Sequence, residues 1–217
     1  VSEATYYRLF IDKIIPEEVD QYIYMDADII CVNNPEHYIN EVFEDMSKKK
    51  YIIASRTENN LNSYTEEIFQ RLEMKSSKYF NAGVMFVDHK KWLKNNIGEL
   101  LLKQLEEIKE KIIYWDQDVL NSFFDGDYIE ISQNINYPIN LRWPMDTKEI
   151  KHNALFIHYQ SNNKPWSIRS VFNKGSSFYQ DVAIKTLNQY HLVKTVRRFD
   201  LFYLIVICFN SILLRIM

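Results

Sequence analysis

Cysteine is almost missing from this 217-residue chain: Cys31 and Cys208 are the only two. Each lies inside an apolar run, so both read as core thiols of a reducing compartment, and a disulfide-built scaffold is excluded. Glycine is sparse as well, with four in the chain. An excess of positive charge is lacking too: 26 basic residues stand against 29 acidic ones, for a net charge of -3. That excludes a global basic field for nucleic acid. No signal peptide, internal repeat or low-complexity linker is visible. The apolar run from Leu201 to Leu214, broken by Asn210 and Ser211, is shorter than the ~20 residues of an ordinary spanning helix. What is present, 47% hydrophobic, 15% aromatic and 25% charged residues, is a globular composition with enough chain for one sizeable core.

The two ends carry expectations of their own. The opening "VSEATYYRLFIDKIIPEE" looks like the middle of a helix, so the chain is expected to be a fragment or processed form of a longer protein. At the other end Arg197 and Arg198 precede the apolar run. Residues 193–217 therefore read as a basic, apolar tail, suited to a helix lying at a membrane surface. A C-terminal helix packed on the core or on a partner fits the same pattern.

Between the ends, residues 3 to 15 read as a helix closed by Pro16. "QYIYMDADIICV" is a buried strand candidate followed by the turn signal Asn33-Asn34-Pro35. "YIIASR", "YFNAGVMFVDH", "YIEIS" and "ALFIHY" read as further strands, and "SYTEEIFQRLEM" as a helix. From Lys90 to Lys111 the pattern predicts one charged amphipathic helix with Trp92, Ile97, Leu101, Leu105 and Ile108 on its apolar side. "WDQDVLNSFF" opens another, with Asp116 or Asp118 near its N-terminal dipole. Alternating strands and helices predict an α/β fold with a mostly parallel sheet. In such sheets chemistry gathers beyond the C-terminal strand ends, where Asp26, Asp28 and His158 fall, with Asn81 in the turn-prone "FNAG".

Asp26 and Asp28 pose the main chemical question, because unpaired carboxylates inside an apolar strand are costly. In an extended Asp-X-Asp both side chains point to one side. Two carboxylates so placed suit a hard cation such as Mg²⁺ or Mn²⁺, with positions left for phosphate. Surface and capping aspartates produce the same tripeptide. His158 offers a third ligand as a neutral imidazole, or is a hydrogen-bonded core residue. Lys164, held beside Pro165 and Trp166, can neutralise a diphosphate or simply precede a turn. Asp116 and Gln117 can meet a sugar, although Asp116 would also serve as a helix cap. Asn81 offers a polar side chain and Gly83 close backbone approach, or the pair marks a strand bulge.

Taken in order, "TYYRL", "YMDADII", "YFNAGVMFVDHKKW", "DQDVLN" and "HYQSNNKPW" resemble glycosyltransferase family 8. These are retaining sugar transferases related to lipopolysaccharide galactosyl- and glucosyltransferases and to glycogenin. The resemblance runs from about Ser2 to Trp166 and implies a GT-A fold over residues 1–192. It implies that Asp26, Asp28 and His158 hold Mn²⁺, or Mg²⁺, on the diphosphate of a UDP-sugar. Lys164 would contact the phosphates, Arg8 would reach the donor sugar, and Asn81, Ala82, Asp116 and Gln117 would line the donor sugar and the acceptor. The chain departs from the family at Ser161, where glycine is usual beside the phosphate. Arg56 and Thr57 stand where many members carry an aspartate. The family's first strand and helix, which hold uracil and ribose, have no counterpart before Val1.

These readings predict transfer of a hexose, galactose or glucose, to a saccharide or glycolipid acceptor at the cytoplasmic face of the membrane. Front-face attack is expected to keep the anomeric configuration. Asp116 is a better nucleophile than Gln117, whose amide oxygen carries no charge to donate. A non-catalytic transferase-like scaffold stays open beside this reading. So does a phosphatase with Asp26 as nucleophile, which would need a later acidic pair that "DGDYIE" around Asp127 imitates poorly.

Overall fold

The computed structural model describes residues 3–58, 65–160, 162–170 and 172–192. A 3₁₀ helix, Glu3–Lys13, leads into strand β1 (Gln21–Met25) and strand β2 (Ile29–Cys31). Then come α1 (Glu36–Lys49), β3 (Ile53–Thr57), α2 (Thr65–Arg71), β4 (Phe80–Asp88), α3 (His89–Lys94), α4 (Ile97–Ile108) and α5 (Trp115–Phe124). The remainder holds β5 (Ile129–Glu130), β6 (Tyr137–Pro138), α6 (Thr147–Asn153), β7 (Phe156–His158) and α7 (Ser177–Leu187). The chain divides into two compact units, residues 1–26 with 35–135 and residues 27–34 with those from 136 onward.

The first unit is built on a sheet of order β1-β4-β3-β5. Its central strand, β4, is buried along its whole length, as expected of a strand covered on both faces. Phe80, Val87, Trp92, Leu101, Val119 and Leu120 belong to the core beneath it. The second unit has a smaller sheet of order β2-β7-β6 and its own core around Ile139, Ile150, Ile157 and Tyr159. Asn33 ties the turn after β2 to α6 by donating to Lys151 O and Ala154 O at 2.9 and 2.7 Å.

The α/β class is as expected, with mixed sheets, but four local expectations need correction. "QYIYMDADIICV" is not one strand. Asp26 N still donates to Gly83 O on β4 at 2.9 Å, whereas Asp28 O accepts from Tyr159 N at 3.1 Å. The chain changes sheets between the two aspartates, so neither carboxylate lies inside a ladder. The sheets are also not mostly parallel: β4 runs antiparallel to both β1 and β3, and β2 antiparallel to β7. Only β3–β5 and β6–β7 pair in parallel among the described strands. Thr57 is paired with Phe80, so the segment containing α2 joins adjacent strand ends and is not a crossover across the sheet.

"FNAG" is not a turn but the opening of β4. The helix expected over Lys90–Lys111 breaks into α3 and α4 at Asn95 and Asn96, and Asn96 has φ 52°, a left-handed conformation that asparagine tolerates better than most residues. Helix α1 is one that the hydrophobic pattern does not announce, because Val42 and Met46 are its only buried residues.

Candidate functional site

In the first unit the candidate side chains gather around Arg8, carried by the 3₁₀ helix. Its Nη1 donates to Ala82 O at 2.6 Å and its Nη2 to Asp26 Oδ1 at 2.8 Å, while Nε lies 2.5 Å from Asp116 Oδ2. The guanidinium also sits 4.3 Å from the centre of the Tyr24 ring, and Tyr24 OH donates to Asp26 Oδ1 at 2.9 Å. Tyr24 precedes Asp26 by two residues on an extended chain, so both project to one side. That spacing was the signal available for Tyr24. Burial pushes the Asp116 carboxyl up to about 6, against the opposing pull of the Arg8 charge.

The opening of β4 is held largely by side chains. β4 bulges against β3, its stretch from Phe80 to Met85 facing only Ser55 to Thr57, which locally disrupts the ladder. Ser55 Oγ fills the gap, 2.7 Å from Asn81 O and 2.8 Å from Val84 O. Helix α5 does the rest from one face. Asn121 accepts from Phe80 N at 2.7 Å and donates to Phe80 O at 2.9 Å. Gln117 Oε1 accepts from Ala82 N at 2.9 Å. Asn81 turns its Oδ1 to Gly83 N at 3.1 Å and its Nδ2 to Glu58 Oε2 at 3.2 Å. The buried backbone groups of the strand are thus satisfied.

Two charged groups hold this arrangement from behind. Arg56 binds Glu58 through both terminal nitrogens at 3.1 and 2.9 Å. Asp118, fully buried, accepts from Tyr79 OH at 2.7 Å, Ile113 N at 2.8 Å, Tyr114 N at 2.9 Å and Arg71 Nη1 at 2.9 Å. Its backbone hydrogen bonds run back to Tyr114, the N-cap of α5, and to Ile113 before it. Immediately after that anchor, Trp115 adopts φ 49°, which is strained for a bulky residue and lies next to Asp116 and Gln117.

In the second unit Asp28, His158 and Lys164 come together. His158 Nδ1 lies 3.0 Å from Asn136 Oδ1, and its Nε2 lies 3.3 Å from Asp28 Oδ1. Asn136 Oδ1 is an acceptor, so Nδ1 carries the hydrogen, and Nε2 of a neutral ring directs a lone pair at a carboxylate. Two acceptors so placed need a proton or a metal cation between them. This is the donor chemistry and the outer support that a metal-binding histidine uses. Lys164 Nζ lies 2.5 Å from Asp28 Oδ2 and 2.6 Å from Tyr159 O. With a proton on His158 Nε2, burial works against ionisation of Asp28, but the hydrogen bonds and charges of His158 and Lys164 outweigh it and hold the carboxyl down at about 2. Nothing in the sequence marks Asn136 for its role.

Arg8, Asp26, Asn81, Ala82, Asp116 and Gln117 are therefore brought together in one unit, and Asp28, His158 and Lys164 in the other. Asp26 and Asp28 are separated by one residue along the chain. Ser161 and residues 193–217 lie outside the described residues. The "DGDYIE" acids do not form a phosphatase pair: Asp127 is exposed, and Asp125 accepts from Lys75 N at 3.0 Å and Ser76 N at 2.9 Å. Among the described residues no helix is long and apolar enough to cross a membrane.

Comparison with known proteins gives the same picture. The chain is 27% identical over 183 residues to the lipopolysaccharide 1,3-galactosyltransferase of Salmonella typhimurium, covering 82% of this chain and 53% of that protein. It is 30% identical over 172 residues to a lipopolysaccharide 1,2-glucosyltransferase of Escherichia coli, covering 75% of this chain and 49% of that one. The chain thus spans about half the length of these relatives. The crystal structure of galactosyltransferase LgtC, in complex with donor and acceptor sugar analogues, superimposes with a TM-score of 0.69 at 22% identity, covering 91% of this chain and 69% of that one. That likeness establishes the GT-A fold. The sequence pattern of glycosyl transferase family 8 matches residues 1–169, most of the chain, and the protein belongs to that family.

Proposed function

We propose that this protein transfers a hexose, galactose or glucose, from a UDP-sugar to a hydroxyl of a saccharide acceptor in lipopolysaccharide or surface-glycan synthesis, with retention of configuration. The observation that carries this reading is the Asp28–His158 pair, whose facing acceptors call for a cation. The family resemblance adds Asp26, one residue removed along the chain, as the second carboxylate beside that imidazole. When bound there, Mn²⁺ or Mg²⁺ would supply Lewis-acid neutralisation of the leaving diphosphate.

The remaining roles fall to the chain. Lys164 turns its ammonium from Asp28 to the phosphates, adding positive charge where negative charge grows. Arg8 holds Asp26 and Asp116 in place and presents its guanidinium toward the donor sugar. Asp116 and Asn81 offer acceptors and donors to hydroxyls. Engagement of the Gln117 carbonyl by Ala82 N supports a positioning role and favours front-face attack, in which a leaving phosphate oxygen takes the acceptor's proton. Residues 1–192 act in this reading as the transferase domain, and residues 193–217 rest on the cytoplasmic membrane surface. Liposome flotation unchanged by deleting that tail would sink the membrane part.

Calorimetric titration of UDP, with and without Mn²⁺, tests the donor site. Binding is expected to require the metal and to vanish in an Asp26→Ala, Asp28→Ala variant. Metal-independent binding, or no binding by a folded longer form that includes the family's nucleotide-holding strand, would turn the reading toward a non-catalytic scaffold.

A further inference from the structure

The second unit carries a cleft that the transfer chemistry does not use. Residues Leu141–Met145 on one side and Arg169, Phe172, Asn173 and Lys174 on the other enclose about 420 Å³, within the range of small-molecule sites. Three cationic side chains line it, Arg142, Arg169 and Lys174, together with two aromatic ones, Trp143 and Phe172. The aromatic rings are left largely in water, at 63% and 58% exposure. Among the described residues neither Arg142 nor Lys174 has an ion-pair partner. No acidic side chain lines the cleft.

The walls are built and not incidental. Asn173 donates through Nδ2 to Leu141 O at 2.8 Å and to Trp143 O at 3.1 Å, and accepts from Gly175 N through Oδ1 at 2.9 Å. One carboxamide therefore clamps both sides. Behind it Tyr159 OH donates to Gly175 O at 2.9 Å. A Cβ on Gly175 would lie 2.9 Å from Leu141 Cδ2, so the two sides meet as closely as a glycine allows. A cleft fixed before binding loses less entropy when a ligand arrives.

We propose that this cleft binds a phosphorylated saccharide, its phosphate between the guanidinium and ammonium groups and a pyranose face against Trp143 or Phe172. Guanidinium groups match phosphate in charge and fork geometry. Aromatic rings offer a large apolar face to ring C–H groups while tolerating a wet rim. The site is concave, whereas a membrane-surface contact presents an outward apolar face to the bilayer. That contrast favours a soluble or glycan-borne phosphate over a lipid headgroup. That the ligand is part of the transferase's acceptor rests on the reading above; that the cleft binds it does not. A binding measurement without turnover lets the two fail separately.

The test is an NMR titration of the full chain with glucose 6-phosphate and galactose 6-phosphate, read at the Trp143 indole N–H and the Asn173 carboxamide. Either sugar phosphate is expected to shift both signals saturably, and the unphosphorylated hexoses to leave them unmoved. Arg142→Ala with Lys174→Ala should weaken binding at least about tenfold. The charge-keeping pair Arg142→Lys with Lys174→Arg should weaken binding less than the alanine pair does, because the charge stays while the fork at position 142 is lost. No shift at either reporter, an equal response to the plain hexose, or unchanged affinity in the alanine variant would overturn the proposal. So would a response confined to phosphatidylglycerol vesicles, which would make the cleft a lipid contact.

Discussion

Replacing Asp118 with alanine should be among the most damaging single changes in the first unit. Its carboxylate is fully buried and accepts from two backbone N–H groups, the Tyr79 hydroxyl and Arg71. Removing it strands all four donors. Arg71 keeps one hydrogen bond, to Lys111 O, but loses its counter-charge. Deleting one member of a buried ion pair typically costs about 3–5 kcal/mol, because the orphaned donors keep their desolvation penalty. For a chain of this size that is a fall in Tm of roughly 6–20 °C. Asp118→Asn keeps the shape and part of the accepting capacity, and should cost about 1–3 kcal/mol. Adding Arg71→Met to the alanine variant should restore part of the loss, since the unpaired cation is then gone. Urea denaturation of the four proteins provides the free energies. An Asp118→Ala variant within about 1 kcal/mol of the parent, or no coupling to Arg71, would refute the reasoning.

Three further outcomes follow from the same geometry. The Asp116 carboxyl, at about 6 in the folded chain against 3.8 ordinarily, binds its proton more tightly folded than unfolded. Its contribution to stability is therefore full below pH ~4 and lost as pH rises through ~6, and Asp116→Asn should flatten that part of the profile. Carbon-13 NMR should place the carboxyl near 6 and higher still in Arg8→Met; a value near 4 would refute the burial argument. Asp28, held at about 2, contributes stability above pH ~4 that is lost as pH falls through ~2. Lys164→Met should raise its pKa and, by removing a competing cation, tighten Mn²⁺ binding while weakening UDP binding, both readable by calorimetry. Gly126 has φ 84°, and an added Cβ would stand 2.6 Å from Ser76 Oγ; Gly126→Ala should cost about 1–3 kcal/mol in urea denaturation.

Much of the site is legible in the sequence because its chemistry is carried by charged residues in short, ordered motifs. Arg8, Asp26 and Asp116 do meet around one guanidinium, and Asp28 meets His158 and Lys164. The strands other than β6 (Tyr137–Pro138) are legible as apolar runs, yet the runs could not reveal where a strand changes partners. An apolar stretch looks the same whether one sheet buries it or two, so the switch between Asp26 and Asp28 is invisible to periodicity. Pairing direction was misread for a related reason. Alternation of strand and helix fixes order, but Thr57 facing Phe80 is decided by how the intervening segment folds. Asn136 and Asn121 were missed because a lone asparagine has no pattern. Their importance comes from two polar atoms meeting particular partners, and only the folded chain supplies those.

The side-chain bracing of β4 has a dynamic consequence. The amides of Phe80 and Ala82 donate to Asn121 and Gln117 on α5, so their protection from solvent exchange depends on that helix staying docked. Amides deeper in β4 are guarded by the β1 and β3 ladders instead. One strand therefore contains two clocks. Hydrogen–deuterium exchange at its first residues times the opening of α5, and exchange further along times the opening of the sheet. A ligand that grips Asp116 or Gln117 would slow the first clock and leave the second unchanged, which makes two backbone amides a built-in gauge of occupancy at the proposed donor site.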